Sequence, residues 1–204
     1  MYEILQMLAT AFTIGLTGAL APGPTLIATI NSSLKNGWKA GPKVVAGHAL
    51  VETLIFLLII GGLADVMQEF SQSIALAGGL ALIIFGSMTV KGSRSATLAA
   101  PEGQMNGNAY LAGIITSAAN PYFWIWWLSI GSALMLSSLH SGLIMAAAFM
   151  IGHWGADFAW YTLVSSSLDQ GRSILSEMSY RRILGICGGF LVCFGIYFLS
   201  TSLS

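Results

Sequence analysis

Two copies of the pattern Gly-His-x-x-x-acid place four ionisable side chains inside long apolar stretches of the sequence. The first copy supplies His48 and Glu52, and the second, 105 residues later, supplies His153 and Asp157. Residues four apart are neighbours on one face of a helix, so each copy presents an imidazole beside a carboxylate. Inside a membrane such groups are costly and by default mark a pathway or a site. We interpret them as candidates for binding and releasing protons in turn.

Two other motifs interrupt apolar stretches that would otherwise be helical. Proline removes a backbone hydrogen bond and clashes with the preceding turn, so Pro22-Gly23-Pro24 must break or kink its helix. Asn120-Pro121 does the same in the second half, and the Asn120 amide offers donors and an acceptor. Broken backbone in a bilayer needs a protein partner or a water-filled cavity, and free helix ends attract ionic or zwitterionic ligands. We expect these five residues to bind a solute; the alternative is that the prolines only shape packing.

The composition predicts that this chain lies in a lipid bilayer. Of 204 residues, 55% are hydrophobic and 8% are charged, against roughly 25% charged in a soluble domain. A water-soluble fold cannot hide that much apolar surface. No nucleophile constellation or intramembrane protease pattern is present in the apolar segments, so we do not expect an enzyme. We also expect no cofactor and no nucleic-acid partner.

Six apolar segments are long enough to cross a bilayer, which takes roughly 20 residues each. They lie at about 4–30, 42–63, 73–90, 109–132, 142–165 and 182–202. The sequence therefore predicts an all-α integral membrane protein with six transmembrane helices, in which helices one and four are broken. We expect one transmembrane domain over 1–204, with a loop at about 91–108 between its halves.

The basic residues predict the orientation, because cytoplasmic loops concentrate Lys and Arg. With six spans, all eight fall on one side: Lys35, Lys39, Lys43, Lys91, Arg94, Arg172, Arg181 and Arg182. The opposite side carries acidic residues and His140 but no Lys or Arg. We expect cytoplasmic basic loops, the 91–108 loop among them, and both termini outside.

The two halves of the chain repeat each other. Besides the His-x-x-x-acid pattern, Gly78-Gly79 and Phe85-Gly86 return as Gly188-Gly189 and Phe194-Gly195, at an offset of 109 to 110. The two proline breaks are related by an offset of 97 to 99. Three spans in each unit make the second unit enter the membrane from the opposite side. The sequence predicts inverted repeats at about 4–90 and 109–202, an arrangement common in secondary transporters with a site near the midplane.

Inverted repeats make the segments that carry the two patterns antiparallel. Glu52 and His153 then lie near the midplane, with His48 and Asp157 about one turn closer to the cytoplasm. If the two helices are neighbours, we expect His48 to face Asp157 and Glu52 to face His153. The alternatives are that each pair only neutralises itself within its helix, or that the four side chains bind a divalent metal ion, for which their ligand types are suitable.

Aromatic and glycine residues also predict how the helices are placed and packed. Five aromatic side chains follow the Asn-Pro break, and we expect them in the outer aromatic belt of the membrane: Tyr122, Phe123, Trp124, Trp126 and Trp127. One of them facing inward could hold an ammonium group by cation–π attraction. The glycine pairs 61–62, 78–79 and 188–189 are typical of close helix packing, including packing between subunits.

The sequence resembles the LysE/RhtB family of amino-acid exporters over nearly its whole length. The resemblance lies in the stretch from Gly15 to Pro24, in the basic loop Lys35-Asn36-Gly37-Trp38-Lys39-Ala40-Gly41, and in the stretch from Gly113 to Pro121. It implies export of amino acids or related small metabolites across a plasma membrane, driven by a proton or ion gradient, by a homodimer. The aromatics after Pro121 and the prominent His-x-x-x-acid pairs depart from the family pattern.

Three functions follow from these observations. The leading interpretation is a secondary active exporter in which the two breaks bind the substrate and the four ionisable residues couple transport to protons. The second is a divalent metal-ion exporter that uses His48, Glu52, His153 and Asp157 as ligands; the wider superfamily includes such exporters. The third, a membrane assembly factor, does not explain four ionisable residues in symmetric positions.

Overall fold

The computed structural model describes residues 2–63, 71–96, 108–171 and 176–202, and all regular secondary structure in them is helical. These residues form nine α-helices: α1 (Tyr2–Ala19), α2 (Pro24–Asn36), α3 (Ala40–Leu58), α4 (Ser71–Ser93), α5 (Ala109–Ala118), α6 (Pro121–Trp126), α7 (Ser132–His140), α8 (Leu143–Gln170) and α9 (Glu177–Ser202). A π-helical turn, Ile59–Leu63, continues α3, and another, Trp127–Gly131, joins α6 to α7.

Four stretches of helix in the described residues are long and apolar enough to cross a membrane. They are Ala40–Gly62, Leu76–Ser93, Leu143–Gln170 and Glu177–Tyr197. The pair α1 and α2 makes a fifth if it is counted as one bent span. The remaining predicted segment, at about 109–132, contains the apolar helix α5, which has ten residues. A membrane crossing needs roughly 20.

The first predicted break is confirmed. Helix α1 ends at Ala19 and α2 begins at Pro24, and the two axes differ by 81°. Proline suits the first position of a helix, because its missing N–H would have no intrahelical partner there. Gly23 is the residue before α2, and no side chain caps this end of the helix.

The second predicted break is confirmed as well. Helix α5 ends at Ala118 and α6 begins at Pro121. Here the end is capped, because the Asn120 side-chain oxygen accepts a hydrogen bond from the backbone N–H of Tyr122 at 3.1 Å. Asparagine is among the residues that cap helix N-termini best.

Several helices are longer than the segments predicted from the sequence. Helix α4 continues to Ser93, inside the predicted loop 91–108, and α9 begins at Glu177 rather than at 182. An apolar run stops at the first polar or basic residues, but the helix can continue through them. Long basic side chains can stay in water while their stems cover apolar surface. The Arg181 guanidinium Nε donates to the Ala96 carbonyl oxygen at 2.8 Å, which links the first turns of α9 to the segment that follows α4. The rest of that loop, 97–107, lies outside the described residues.

Helices α3 and α8 lie at the centre of the bundle. Helix α3 packs against α2, α5 and α8, while α8 packs against α1, α2, α3 and α7. Helices α4 and α9 pack along each other beside this core. The two helices that carry the His-x-x-x-acid pattern are therefore neighbours.

The glycine pairs predicted to allow close packing differ from one another. A Cβ at Gly79 or Gly188 would meet backbone of the facing helix at the α4–α9 crossing, at 3.0 and 2.7 Å. At Gly61, Gly62 and Gly189 a Cβ would have open space within this chain. Gly62 instead has a φ of +95° within the π-helical turn, a conformation that favours glycine.

Two adjacent glycines of α9 give a matched test of this packing. Gly188→Ala would press a Cβ against the Gly86 carbonyl oxygen, whereas Gly189→Ala would extend into open space. We expect Gly188→Ala to lower the free energy of unfolding by about 1–3 kcal/mol, as overpacking does, and Gly189→Ala to change it little. Detergent-titrated unfolding followed by circular dichroism measures both variants. Equal stability of the two would contradict the close α4–α9 crossing.

Candidate functional site

The four ionisable side chains of the repeated pattern form one buried cluster. His48, Glu52, His153 and Asp157 are between 1% and 8% exposed. His48 Nε2 lies 3.2 Å from Glu52 Oε1 and 3.8 Å from Asp157 Oδ2. His153 Nε2 lies 2.8 Å from Glu52 Oε1 and 3.6 Å from Asp157 Oδ2. Each imidazole therefore faces both carboxylates, and the expected cross-helix pairing is confirmed.

Glycine precedes each histidine because another helix crosses at that position. A Cβ at Gly47 would overlap the carbonyl oxygen of Tyr110 on α5, and a Cβ at Gly152 would lie 2.5 Å from the carbonyl oxygen of Leu8 on α1. Real Cβ contacts of this kind do not occur below 3.0 Å. The two glycines thus let α5 and α1 close against α3 and α8, which encloses the histidines.

The two carboxylates have different surroundings. Glu52 Oε1 accepts hydrogen bonds from His153 Nε2 at 2.8 Å and from the indole Nε1 of Trp127 at 3.2 Å. Asp157 Oδ2 is buried and has no hydrogen-bond partner among the described residues. The donors of the cluster therefore converge on one oxygen of Glu52 and not on Asp157; the other Glu52 oxygen, Oε2, is buried without a hydrogen-bond partner among the described residues, like Asp157 Oδ2.

Ser117 belongs to the cluster and was not predicted from the sequence. Its hydroxyl donates to the Gly113 carbonyl oxygen at 2.6 Å, and its oxygen lies 2.6 Å from His48 Nδ1. Because a hydroxyl has one proton, the bond to Gly113 leaves Ser117 as the acceptor, so His48 carries a proton on Nδ1. The signal in the sequence was its spacing of four residues from Gly113, which places Ser117 on the face of α5 that lies against α3.

The aromatic residues after the break correct an expectation. Phe123, Trp126 and Trp127 are buried in the bundle, so the prediction of an outer aromatic belt was wrong for these three. Trp126 stacks on the His153 ring at 4.7 Å, and Phe123 meets the His48 ring edge-on at 5.3 Å. The physical reason is the break itself, which begins a new helix at the depth of the cluster. Tyr122 and Trp124 are half-buried.

The two breaks meet in the interior. A Cβ at Gly23 would lie 3.5 Å from the amide nitrogen Nδ2 of Asn120. The Asn120 oxygen is occupied as the cap of α6, so its amide group is oriented with the nitrogen toward the other break. Pro24 and Pro121 occupy the first positions of α2 and α6 and shape the ends of the helices.

A cavity of about 430 Å³ connects the breaks to the cluster. It is lined by all four cluster residues, by Gly23 and Asn120 of the breaks, and by five aromatic side chains: Tyr122, Phe123, Trp126, Trp127 and Tyr161. Pro22, Pro24 and Pro121 do not line it.

Residues 16–202 match the family described as LysE type translocator. The chain belongs to the LysE family. LysE family translocators are transporters and not enzymes, and the apolar helices agree with a protein that spans the membrane several times.

Two relatives of this LysE family chain match it almost end to end. A Bacillus subtilis (strain 168) protein named "Putative amino acid efflux protein YcgF" is 25% identical over 203 residues, which cover 95% of each chain. The "Chemotactic transduction protein ChpE" of Pseudomonas aeruginosa (strain PAO1) is 24% identical over 197 residues, which cover 93% of this chain and 95% of that protein. No solved structure matches the chain.

Part of the cluster also has the geometry of a metal site. One ligand atom from each of His48, Glu52 and Asp157 can be chosen so that all three lie within 4.8 Å of one another. His153, the fourth ligand of the metal interpretation, is outside this group. The LysE family translocator therefore brings together three of the four residues as possible ligands.

The indole of Trp127 provides a test of the Glu52 environment. Trp127→Phe keeps an aromatic ring but removes the donor to Glu52 Oε1, so we expect it to reduce the free energy of unfolding by about 1–3 kcal/mol. Trp154→Phe is the control, because the buried Trp154 Nε1 has no hydrogen-bond partner among the described residues. Detergent-titrated unfolding of purified protein compares them. An equal loss in both variants would show that the Glu52 hydrogen bond adds no stability of its own.

Proposed function

We propose that this translocator exports amino acids or related small metabolites from the cell by proton or ion antiport. One observation carries the proposal: a single cavity is bordered by both helix breaks and by all four buried ionisable residues. Substrate and protons would thus meet in the same space, so that the binding of one can directly change the binding of the other.

The proposed substrate site lies where the two breaks face each other. The N-terminus of α2 carries a partial positive charge, and no side chain caps it. The Nδ2 group of Asn120 is beside it. Together they offer donors to a carboxylate, the group that all amino acids share. Thr25, in the first turn of α2, also lines the cavity.

The proposed proton-coupling group is the cluster of His48, Glu52, His153 and Asp157. Each imidazole nitrogen Nε2 lies within 4 Å of both carboxylates, so a proton added to one member changes the interactions of the other three. Histidine changes its charge near physiological pH, and ionisable chains in membranes commonly relay protons. The cluster also borders the cavity, so substrate binding can alter it directly.

An inverted repeat of six spans is part of the proposal, and the packing supports it. Helix α3 packs against α5, and its counterpart α8 packs against α1. At the α4–α9 crossing, Gly79 faces Gly195 while Gly86 faces Gly188. At the offset of 109, Gly79 is equivalent to Gly188 and Gly86 to Gly195, so a two-fold axis would exchange these two contacts.

The proposed location is the plasma membrane, with the basic loops in the cytoplasm and both termini outside. The charge distribution of the sequence supports this orientation. We also propose a homodimer, as the family resemblance implies. Gly189, on α9, is open to contacts from outside the chain, and small residues favour helix association in membranes.

A divalent cation is the second candidate substrate. The observation in its favour is the convergence of ligand atoms from His48, Glu52 and Asp157. Imidazole and carboxylate groups suit zinc and similar ions. In this case the ion would be the cargo, and the cavity beyond the cluster would be its path.

Transport by reconstituted protein tests the proposed function. In vesicles with an imposed pH gradient, we expect accumulation of at least one of the twenty labelled proteinogenic amino acids. Glu52→Gln and Asp157→Asn should abolish gradient-driven accumulation, because each removes a titratable member of the cluster. Glu177→Gln, which changes an exposed acid of α9, should behave like the unmodified protein.

The same vesicles distinguish the two substrates. Zinc, manganese and cadmium are supplied in place of amino acids. Movement of these ions alone would replace the amino-acid proposal with ion export, and movement of neither class would contradict both.

Asn120→Asp tests the proposed carboxylate site. Aspartate still caps α6 through a side-chain oxygen, but it replaces the Nδ2 donor with a negative charge that repels a substrate carboxylate. We expect the KM of exchange to rise about tenfold, equivalent to the loss of one charge-assisted hydrogen bond. Asn108→Asp is the matched control, because Asn108 caps α5 in the same way, bonding the N–H of Tyr110, and does not line the cavity. An unchanged KM in Asn120→Asp would place the carboxylate elsewhere.

A further inference from the structure

We propose that the two carboxylates of the cluster have different tasks: Glu52 is a fixed counter-ion for the histidines, and Asp157 binds the ammonium group of the substrate. This inference rests on the proposed export of amino acids. The inference goes beyond that proposal because it assigns an orientation to the substrate and makes a free amino group a requirement for binding.

The donors of the cluster are already committed to Glu52. His153 Nε2 lies 2.8 Å from Glu52 Oε1, and the Trp127 indole donates to the same oxygen. His48 Nδ1 is directed to Ser117, and His48 Nε2 is closer to Glu52 than to Asp157. No donor of the cluster remains for Asp157 at hydrogen-bond distance.

Asp157 is thus the carboxylate of the cluster that lacks a donor. Glu52 also has one buried oxygen, Oε2, without a hydrogen-bond partner among the described residues, but its other oxygen accepts two hydrogen bonds. Asp157 is 2% exposed, its Oδ2 atom has no hydrogen-bond partner among the described residues, and its nearest imidazole nitrogen is 3.6 Å away. Leaving a buried charged group without a hydrogen bond is costly. Because Asp157 lines the cavity, a ligand can supply the missing donor.

The cavity favours an ammonium group as that donor. An ammonium brings three N–H donors, and the cavity extends from Asp157 to both helix breaks, where the rest of an amino acid would lie. The aromatic rings of Trp126 and Tyr161 line the same space, and such rings attract cations placed over their faces. The substrate carboxylate would then point to Asn120 and the N-terminus of α2.

The difference between the two carboxylates has a basis in the sequence. Gly15 and Gly113 are equivalent at an offset of 98, which pairs Ser117 with Ala19. Pro24 and Pro121 are equivalent at an offset of 97, which pairs Trp127 with Ile30. The acceptor of His48, Ser117, and the donor to Glu52, Trp127, are therefore both replaced by apolar residues on the Asp157–His153 side. Consistently, His153 Nδ1 also has no hydrogen-bond partner among the described residues.

Equilibrium binding to the purified full-length protein tests the assignment without requiring transport. The probes are the twenty proteinogenic amino acids, and binding is followed by intrinsic tryptophan fluorescence, since Trp126 and Trp127 line the cavity. Each amino acid that binds is compared with the 2-hydroxy acid of the same side chain, in which a hydroxyl replaces the ammonium. We expect the unmodified protein to prefer the amino acid by about tenfold or more, as for loss of a charged hydrogen bond.

The variants assign that preference to one carboxylate. Asp157→Asn should remove the preference, and Asp157→Glu should restore part of it by returning the charge. Glu52→Gln should keep the preference even where it lowers stability. Asp169→Asn is the control for an acid-to-amide change on α8 outside the cavity.

The possible failures are distinguishable. A preference that survives in Asp157→Asn, or that is lost in Glu52→Gln instead, would overturn the assignment while leaving amino-acid export intact. If the unmodified protein bound none of the twenty amino acids, the proposed function and this inference would both fail. Should Asp157→Asn not fold, Asp157→Glu decides the question: an unchanged preference after moving the carboxylate by one methylene would contradict direct contact with the ammonium.

Discussion

The burial of four ionisable side chains in one apolar bundle is the constraint on which the rest of this structure depends. None of them can be accommodated alone, since removing one partner of a buried ion pair typically costs about 3–5 kcal/mol. Helices α3 and α8 must therefore lie side by side, with both imidazoles within 4 Å of both carboxylates. This requirement determines where glycine must occur, because α1 and α5 have to close over the histidines at Gly152 and Gly47.

The helix breaks are the second consequence of placing polar chemistry at this depth. A continuous helix would satisfy its own backbone and offer a ligand nothing, whereas a break exposes helix ends that need partners. Asn120 satisfies the end at α6, but no side chain does so at α2. This end without a side-chain cap borders the same cavity as the cluster. Aromatic rings that follow the second break line the same cavity, so the polar groups share it with large apolar surfaces.

Sequence reasoning succeeded where periodicity and topology were sufficient. The two breaks follow from the chemistry of proline, and the pairing of His48 with Asp157 and of Glu52 with His153 follows from antiparallel helices at matching depths. It failed where side-chain direction mattered. Phe123, Trp126 and Trp127 have the composition of an interfacial belt, and only the path of the chain after the break shows that they are buried. The hydrogen bond of Ser117 and the unequal surroundings of the carboxylates depend on rotamers, which spacing alone does not determine.

The repeated sequence pattern is symmetric in its glycines, histidines, acids and prolines, and asymmetric in two polar side chains that contact the cluster. Glycine, histidine, acid and proline recur in both halves, so the helices can pack in equivalent ways on either side of the cluster. Ser117 and Trp127 do not recur, and their equivalents Ala19 and Ile30 have no polar side-chain atom. A fully symmetric cluster would give hydrogen-bond partners to both halves or to neither: the first would leave no carboxylate for a cationic ligand, and the second would leave nothing to hold the imidazoles in place. In the proposed division of tasks, the loss of symmetry at these two positions lets one half hold the histidines while the other binds a ligand.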